Sequence, residues 1–209
     1  MKAVFLKYLL LSIGIWANML IISYSWYNYP TEILYWQALA RLSGRISLIL
    51  FAVLFINESL KLFWPNRASQ SPLLAEKIIF PAFAFHHLVH FYFLATYMLK
   101  SGAEIVVYRL LGGALAYFLI VIVAFLWVWR PKWVKKPLLI LYLYYVWFVM
   151  FMTYLARLQG KFANAGGAMQ DYIFFASIVF ILLLGNLILL ARKILGKKEQ
   201  VFNPEINHN

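Results

Sequence analysis

The sequence predicts an all-α integral membrane protein: a six-transmembrane-helix bundle with its N and C termini on the cytoplasmic side. Three observations carry that prediction. Apolar residues come in blocks of about twenty, enough to cross ~30 Å of hydrocarbon as a helix. Only 12% of the 209 residues are charged, where a soluble domain has about a quarter. The bases gather at alternate block ends. The composition is 65% hydrophobic and the mean hydropathy is +0.78, so lipid rather than water is the main solvent.

The first span is expected at about 8–26. Lys2 and Lys7 precede it as in a signal peptide, but no small-x-small cleavage site closes it, so it reads as a retained helix. A polar turn around Asn28, Pro30 and Glu32 leads to a second span at 43–63, entered through Arg41 and Arg45 and stopped by Trp64 and Pro65. The loop from Asn66 to Lys77 has no apolar periodicity. The third span, 78–99, carries Pro81 in its first turn, where the missing N–H costs least. Spans four to six are expected at 106–129, 137–155 and 172–195, the last after a loop with Gly160, Asn164, Gly166 and Gly167. Residues 1–198 thus form a single transmembrane domain, and 199–209 a polar, disordered tail in which His208 has no role.

Six spans put both termini on one side, and thirteen of the nineteen Lys and Arg residues then share that side. The other six are Arg41, Arg45, Lys100, Arg109, Arg157 and Lys161. The richer side faces the cytoplasm by the positive-inside rule. Trp26, Trp36, Trp64, Trp127, Trp129 and Trp133 fall at span ends, where amphipathic rings suit the headgroup layer. A net charge of +12 would also suit nucleic acid. The bases, however, mark span ends rather than one patch, so nucleic acid is not an expected partner and the bilayer is. With no cysteine, disulfides, thiolate metal sites and cysteine nucleophiles are excluded.

The chemistry-bearing feature is the third span, Phe85-His86-His87-Leu88-Val89-His90. At about 100° per residue the three imidazoles share one arc of the helix, which Phe83, Leu94 and Tyr97 continue. Polar groups at this depth cost a few kcal/mol without partners, so the arc should face the bundle interior and mark a functional site. The plainer alternative is hydrogen bonding to Tyr, Thr or Asn of neighbouring helices. Neutral imidazole suits haem, zinc, copper or iron, although haem usually takes a ligand from each of two facing helices. The nearest intramembrane carboxylate, Glu58, sits at the opposite end of its span from His90, so no metal site is expected.

Arg41 and Arg45, one turn apart at the outer mouth of the second span, suit an anionic group such as a propionate, a quinone-site acid or a lipid phosphate, with Arg157 on the same side. The alternative is that they snorkel to the interface. Asn18, Asn57, Asn186 and Thr153 read as interhelical hydrogen-bond glue. Gly14, Gly44, Gly112, Gly113 and Gly185 read as close-packing positions. Tyr142, Tyr144, Tyr145 and Trp147 suit either a filled core or a flat ligand. No P-loop, dinucleotide fingerprint, His-Glu-x-x-His or nucleophile elbow is present.

The element Leu42-Ser43-Gly44-Arg45-Ile46-Ser47-Leu48 resembles the Ser/Thr-Gly-Arg-x-x-Leu opening of a span in the ferric-reductase-like transmembrane family, especially its haem-binding subunits of periplasmic methionine-sulfoxide reductase systems. The layout is similar over Ser43 to Leu155, including Phe83-Ala84-Phe85 ahead of the histidines, the Lys100-Ser101-Gly102 turn and the basic, tryptophan-bearing loop from Arg130 to Lys136. The resemblance implies an electron-transfer component that binds haem b or a quinone, with a redox protein as partner. Candidate cofactor residues are His86, His87, His90, Arg41 and Arg45. The family's second haem ligands are histidines of the fifth span. Here Tyr142 and Tyr154 or Leu155 stand at those positions, which leaves Met150 and Met152 as thioether candidates; methionine in such a span is otherwise gap-filling core. Competing expectations are a non-catalytic accessory or small-ligand-binding bundle, and a transporter or lipid-modifying enzyme with the histidines as proton relay or metal site.

Overall fold

The computed structural model describes residues 2–63, 76–102, 107–129, 136–160 and 166–202, with side chains described for 14–57, 59, 79–102, 110–126, 138–160 and 166–192. Among the described residues helix is the only regular secondary structure: α1 (Lys2–Asn28), α2 (Glu32–Phe63), α3 (Glu76–Lys100), α4 (Val107–Trp129), α5 (Lys136–Leu158) and α6 (Met169–Phe202). Glu32–Asn57, Ile79–Lys100, Leu138–Leu158 and Met169–Arg192 are each long and apolar enough to cross a membrane, and Leu110–Leu126 is an apolar but shorter stretch. The chain thus has the make-up of a helical integral membrane protein. Trp64, Pro65, Asn66, Asn164, the stretch Arg130 to Lys135 and His208 lie outside the described residues.

The helices run past most expected boundaries, α1 beginning at Lys2 rather than near Tyr8, and two differences bear on the site and the tail. The second helix starts at Glu32 rather than near Ser43. Thr31 caps it, its Oγ1 accepting from the Leu34 amide at 3.4 Å, and Glu32 in the first turn suits the positive end of the helix dipole. Arg41 and Arg45 therefore lie inside α2, about 14 and 20 Å beyond its first residue at 1.5 Å per residue, and not at its mouth. At the other end of the chain α6 continues to Phe202, so Glu199 to Phe202 are helical rather than tail.

α2 packs most extensively against α3. From there α3 meets α4, α4 meets α5, α5 meets α6, and α6 returns to α2, while α1 packs on both α2 and α3. Five helices thus close a ring, and α1 lies outside it along the α2–α3 seam. The main core fills the ring with Leu48, Phe51, Leu54 and Phe55 of α2, Phe80 and Phe83 of α3, Ile120 and Val123 of α4, Tyr142, Val146, Trp147 and Met150 of α5, and Val179 of α6. Trp147 also donates its indole N–H to the Val179 carbonyl at 2.7 Å. A second, smaller core joins Ile21 of α1, Leu39 and Ala40 of α2, and Phe93 and Tyr97 of α3. Exposed Leu, Ile and Phe side chains cover α6, with Ile181 at 63% and Phe174 at 60% exposed, as expected of lipid-facing surface.

At one end the helices finish at different heights. Lys100 closes α3 opposite Glu32 of α2, with Nζ 2.5 Å from its carboxylate. α5 stops at Leu158 and α6 starts at Met169, yet Asp171 reaches only Arg45, about three and a half turns into α2. α2 and α3 therefore project beyond α5 and α6 as a step. The chain ahead of α6 climbs that step, Gly166 against Gln37 and Gly167 against Arg41. Both glycines have positive φ, 63° and 104°, and a Cβ on Gly166 would come within 2.7 Å of the Gln37 side chain.

Candidate functional site

The three histidines face inward, as the helical arc requires. His86 and His87 are buried and His90 is half-buried. Phe83 and Tyr97 on the same arc are buried as well. Their partners are chiefly two serines of α2, Ser43 and Ser47, which one turn of helix sets on one face.

The hydrogen bonds fix two tautomers. His86 Nε2 lies 3.1 Å from the Ser43 carbonyl oxygen, which can only accept, so Nε2 carries the proton. Its Nδ1 then accepts from Asn18 Nδ2 at 3.2 Å. Asn18 Nδ2 also donates to the Gly14 carbonyl at 2.8 Å, which sets the orientation of the amide and leaves Asn18 Oδ1 buried with no partner among the described residues. His90 is assigned through Ser43. The Ser43 hydroxyl sits 2.6 Å from the Leu39 carbonyl, a separation two oxygens tolerate only with the proton between them. The hydroxyl thus has only a lone pair left for His90 Nδ1 at 3.0 Å. Neutral His90 is therefore protonated on Nδ1 and carries its lone pair on Nε2. His87 Nδ1 bonds Ser47 Oγ, and its ring stacks on Tyr117 of α4 with centroids 4.5 Å apart.

Gly44 makes the close approach of α3 possible. A Cβ at that position would fall 3.0 Å from His90 Cε1, inside normal carbon contact. By contrast, among the described residues nothing lies within 4 Å of a Cβ built on Gly14, Gly112, Gly113 or Gly185. The expected glue is likewise narrower. Asn18 joins α1 to α3, but Thr153 and Asn186 donate to Val149 and Leu182 of their own helices.

A cationic cluster lies next to the imidazoles at the foot of the step. Arg45 is ion-paired to Asp171 and its guanidinium lies 5.5 Å from the Phe175 ring centroid. Arg41 lies 6.0 Å from Tyr29. Arg157 lies 5.6 Å from the ring centroids of both Tyr154 and Tyr172. The sequence reading missed Asp171, Ser47 as a partner and Tyr117. The first was findable: Asp171 is the chain's only aspartate, in the first turn of a helix, facing a side with surplus arginine.

The donor set does not fit a haem held between α3 and α5. Both ring nitrogens of His86 are taken by protein. Met152 is 43% exposed, while Met150, Tyr142 and Tyr154 are buried in the main core. No second imidazole faces α3 from α5, and among the described residues no group of three metal-ligating side chains comes together. No family model matches the chain significantly, and neither does a curated protein or a solved structure. The likeness to ferric-reductase-like domains thus rests on the residues around Ser43-Gly44-Arg45, whose structural work here is to seat histidines.

Proposed function

We propose that this chain is a membrane-embedded redox component that takes a quinone-class ring, rather than haem, beside His87 and His90. The observation that carries this reading is the state of His90. Ser43 and the Leu39 carbonyl together fix the Nδ1–H tautomer, so the Nε2 lone pair is the group able to accept a quinol hydroxyl proton. The His87–Tyr117 stack beside it is a flat surface suited to a flat ligand. In this reading all six helices cross a bacterial inner membrane with both termini cytoplasmic, as the charge asymmetry favours. Electrons then pass to or from a partner redox protein.

The test is titration of detergent-purified protein with menaquinone-4 and decyl-ubiquinone, followed by tryptophan quenching, alongside oxidised and reduced absorption spectra. Saturable quenching that His90→Leu abolishes, with no Soret band after haem-replete expression, is the expected result. A Soret band that shifts on reduction, or quenching indifferent to His90→Leu, overturns it.

One observation favours a second reading. Each imidazole already has a protein partner on α2 or α1, which suits a non-catalytic accessory bundle held together by its histidines. Replacing all three by Gln then leaves the cellular phenotype intact wherever the bundle still assembles.

A further inference from the structure

We propose that Arg41 and Arg157, framed by the Arg45–Asp171 pair, bind a phosphate-type oxyanion at the foot of the step. This site stands apart from the quinone reading and does not require it. Of the three arginines there, only Arg45 is paired with a carboxylate among the described residues, that of Asp171. Arg41 and Arg157 have no acceptor among the described residues, and Arg157 Nε is buried without a hydrogen bond. An uncompensated buried guanidinium donor is costly.

The packing shows how the cluster tolerates this. Arg41 lies by Tyr29, and Arg157 lies between Tyr154 and Tyr172. An aromatic ring neutralises none of the guanidinium charge and accepts no strong hydrogen bond, so N–H groups of these arginines remain able to donate to an oxyanion, bidentately where the fork faces it. Tyr172 ties the two together. Its ring is 5.6 Å from Arg157, while a Cβ on Gly167 would lie 3.0 Å from the Tyr172 hydroxyl and 3.4 Å from Arg41 Nη1. Gly167, at φ 104°, leaves that space open. The Tyr172 hydroxyl itself donates to the Gly166 carbonyl, so the tyrosine is held in place by the turn it supports.

The level of the cluster indicates the source of the anion. Arg157 is in the last turn of α5 and Asp171 in the first turn of α6, so the cluster sits where two apolar spans end, at headgroup depth. A phospholipid phosphate and free inorganic phosphate share the required chemistry.

The experiment uses the full chain in detergent. Its melting temperature is measured against inorganic phosphate, and native mass spectrometry measures binding of dioleoyl phosphatidylglycerol and of diacylglycerol with the same acyl chains. Phosphatidylglycerol retained at least tenfold more tightly than diacylglycerol, with that margin lost in R41Q and R157Q but kept in R192Q on exposed α6, supports a lipid phosphate. The same variant pattern in the melting shift with inorganic phosphate alone assigns the site to the free ion. R157K, which keeps charge but loses the planar fork, is expected to weaken binding severalfold while folding as wild type. Equal binding of phosphatidylglycerol and diacylglycerol without a phosphate-induced shift overturns the proposal, and so does binding by R41Q and R157K equal to that of R192Q.

Discussion

Gly44→Ala isolates the contact on which the α2–α3 seam depends. The new methyl carbon would sit 3.0 Å from His90 Cε1 and 3.5 Å from both ring nitrogens. Carbon atoms prefer about 3.5–4.0 Å, so the ring has to retreat by roughly 0.5–1 Å. That retreat stretches the 3.0 Å bond from His90 Nδ1 to Ser43 Oγ to the edge of hydrogen-bonding range. Overpacking of this kind costs about 1–3 kcal/mol, and a lost interhelical bond in a membrane bundle about 0.6 kcal/mol. Opposing both, alanine exceeds glycine in helix propensity by about 1 kcal/mol. The net loss expected is therefore ~1–2 kcal/mol, and ~2–3 kcal/mol relative to Gly185→Ala, which gains the propensity and meets nothing within 4 Å among the described residues. The assay is reversible unfolding in mixed micelles with increasing dodecyl sulfate, followed by circular dichroism. His90→Ala provides the decisive background: without the ring, Gly44→Ala should behave like Gly185→Ala. If Gly44→Ala is as mild as Gly185→Ala with His90 present, or as harmful with it absent, the proposed contact is wrong.

Further outcomes follow from the same geometry. Ser47→Ala removes the partner of His87 and should destabilise by about 0.6 kcal/mol, up to ~1.7, whereas Ser43→Ala should cost a similar amount yet keep His86 in place through the backbone carbonyl; the histidine ring shifts in NMR spectra separate the two. Met150→Ala should lose about 2–5 kcal/mol as a core truncation, while Met152→Leu on the lipid surface should stay within ~0.5 kcal/mol of wild type in the same unfolding assay. Because the chain has no cysteine, single replacements report topology directly. Ser101→Cys and Lys132→Cys should react with an impermeant maleimide from opposite faces of inverted and right-side-out vesicles, and labelling from one face would refute the six-span arrangement.

How much of this was legible in the sequence depends on the range of the interaction. The helices follow from apolar block length, and the inward arc of His86, His87 and His90 from helical phase alone. The start of α2 was readable but overlooked. Thr31 followed by Glu32 is a cap signature, while Gln37 and Arg41 interrupt the apolar run and disguise the first three turns as loop. The histidine partners were not readable, because a serine in an apolar helix can satisfy itself on its own backbone, as Ser59 does with Phe55. Glycine was ambiguous for a related reason: composition cannot distinguish Gly44, pressed against a ring, from Gly185, facing open space.

The seam between α2 and α3 also bears on how the chain enters the membrane. Three imidazoles make α3 the least apolar of the four full-length candidate spans, the one least able to partition into lipid unaided. Its partners, Asn18, Ser43 and Ser47, all lie upstream and are made first. α3 therefore leaves the ribosome into a bilayer that already holds its hydrogen-bonding counterpart, and the order of synthesis substitutes for the hydrophobicity the helix lacks. Moving α3 ahead of α2 by circular permutation would preserve every contact of the finished bundle and remove that advantage.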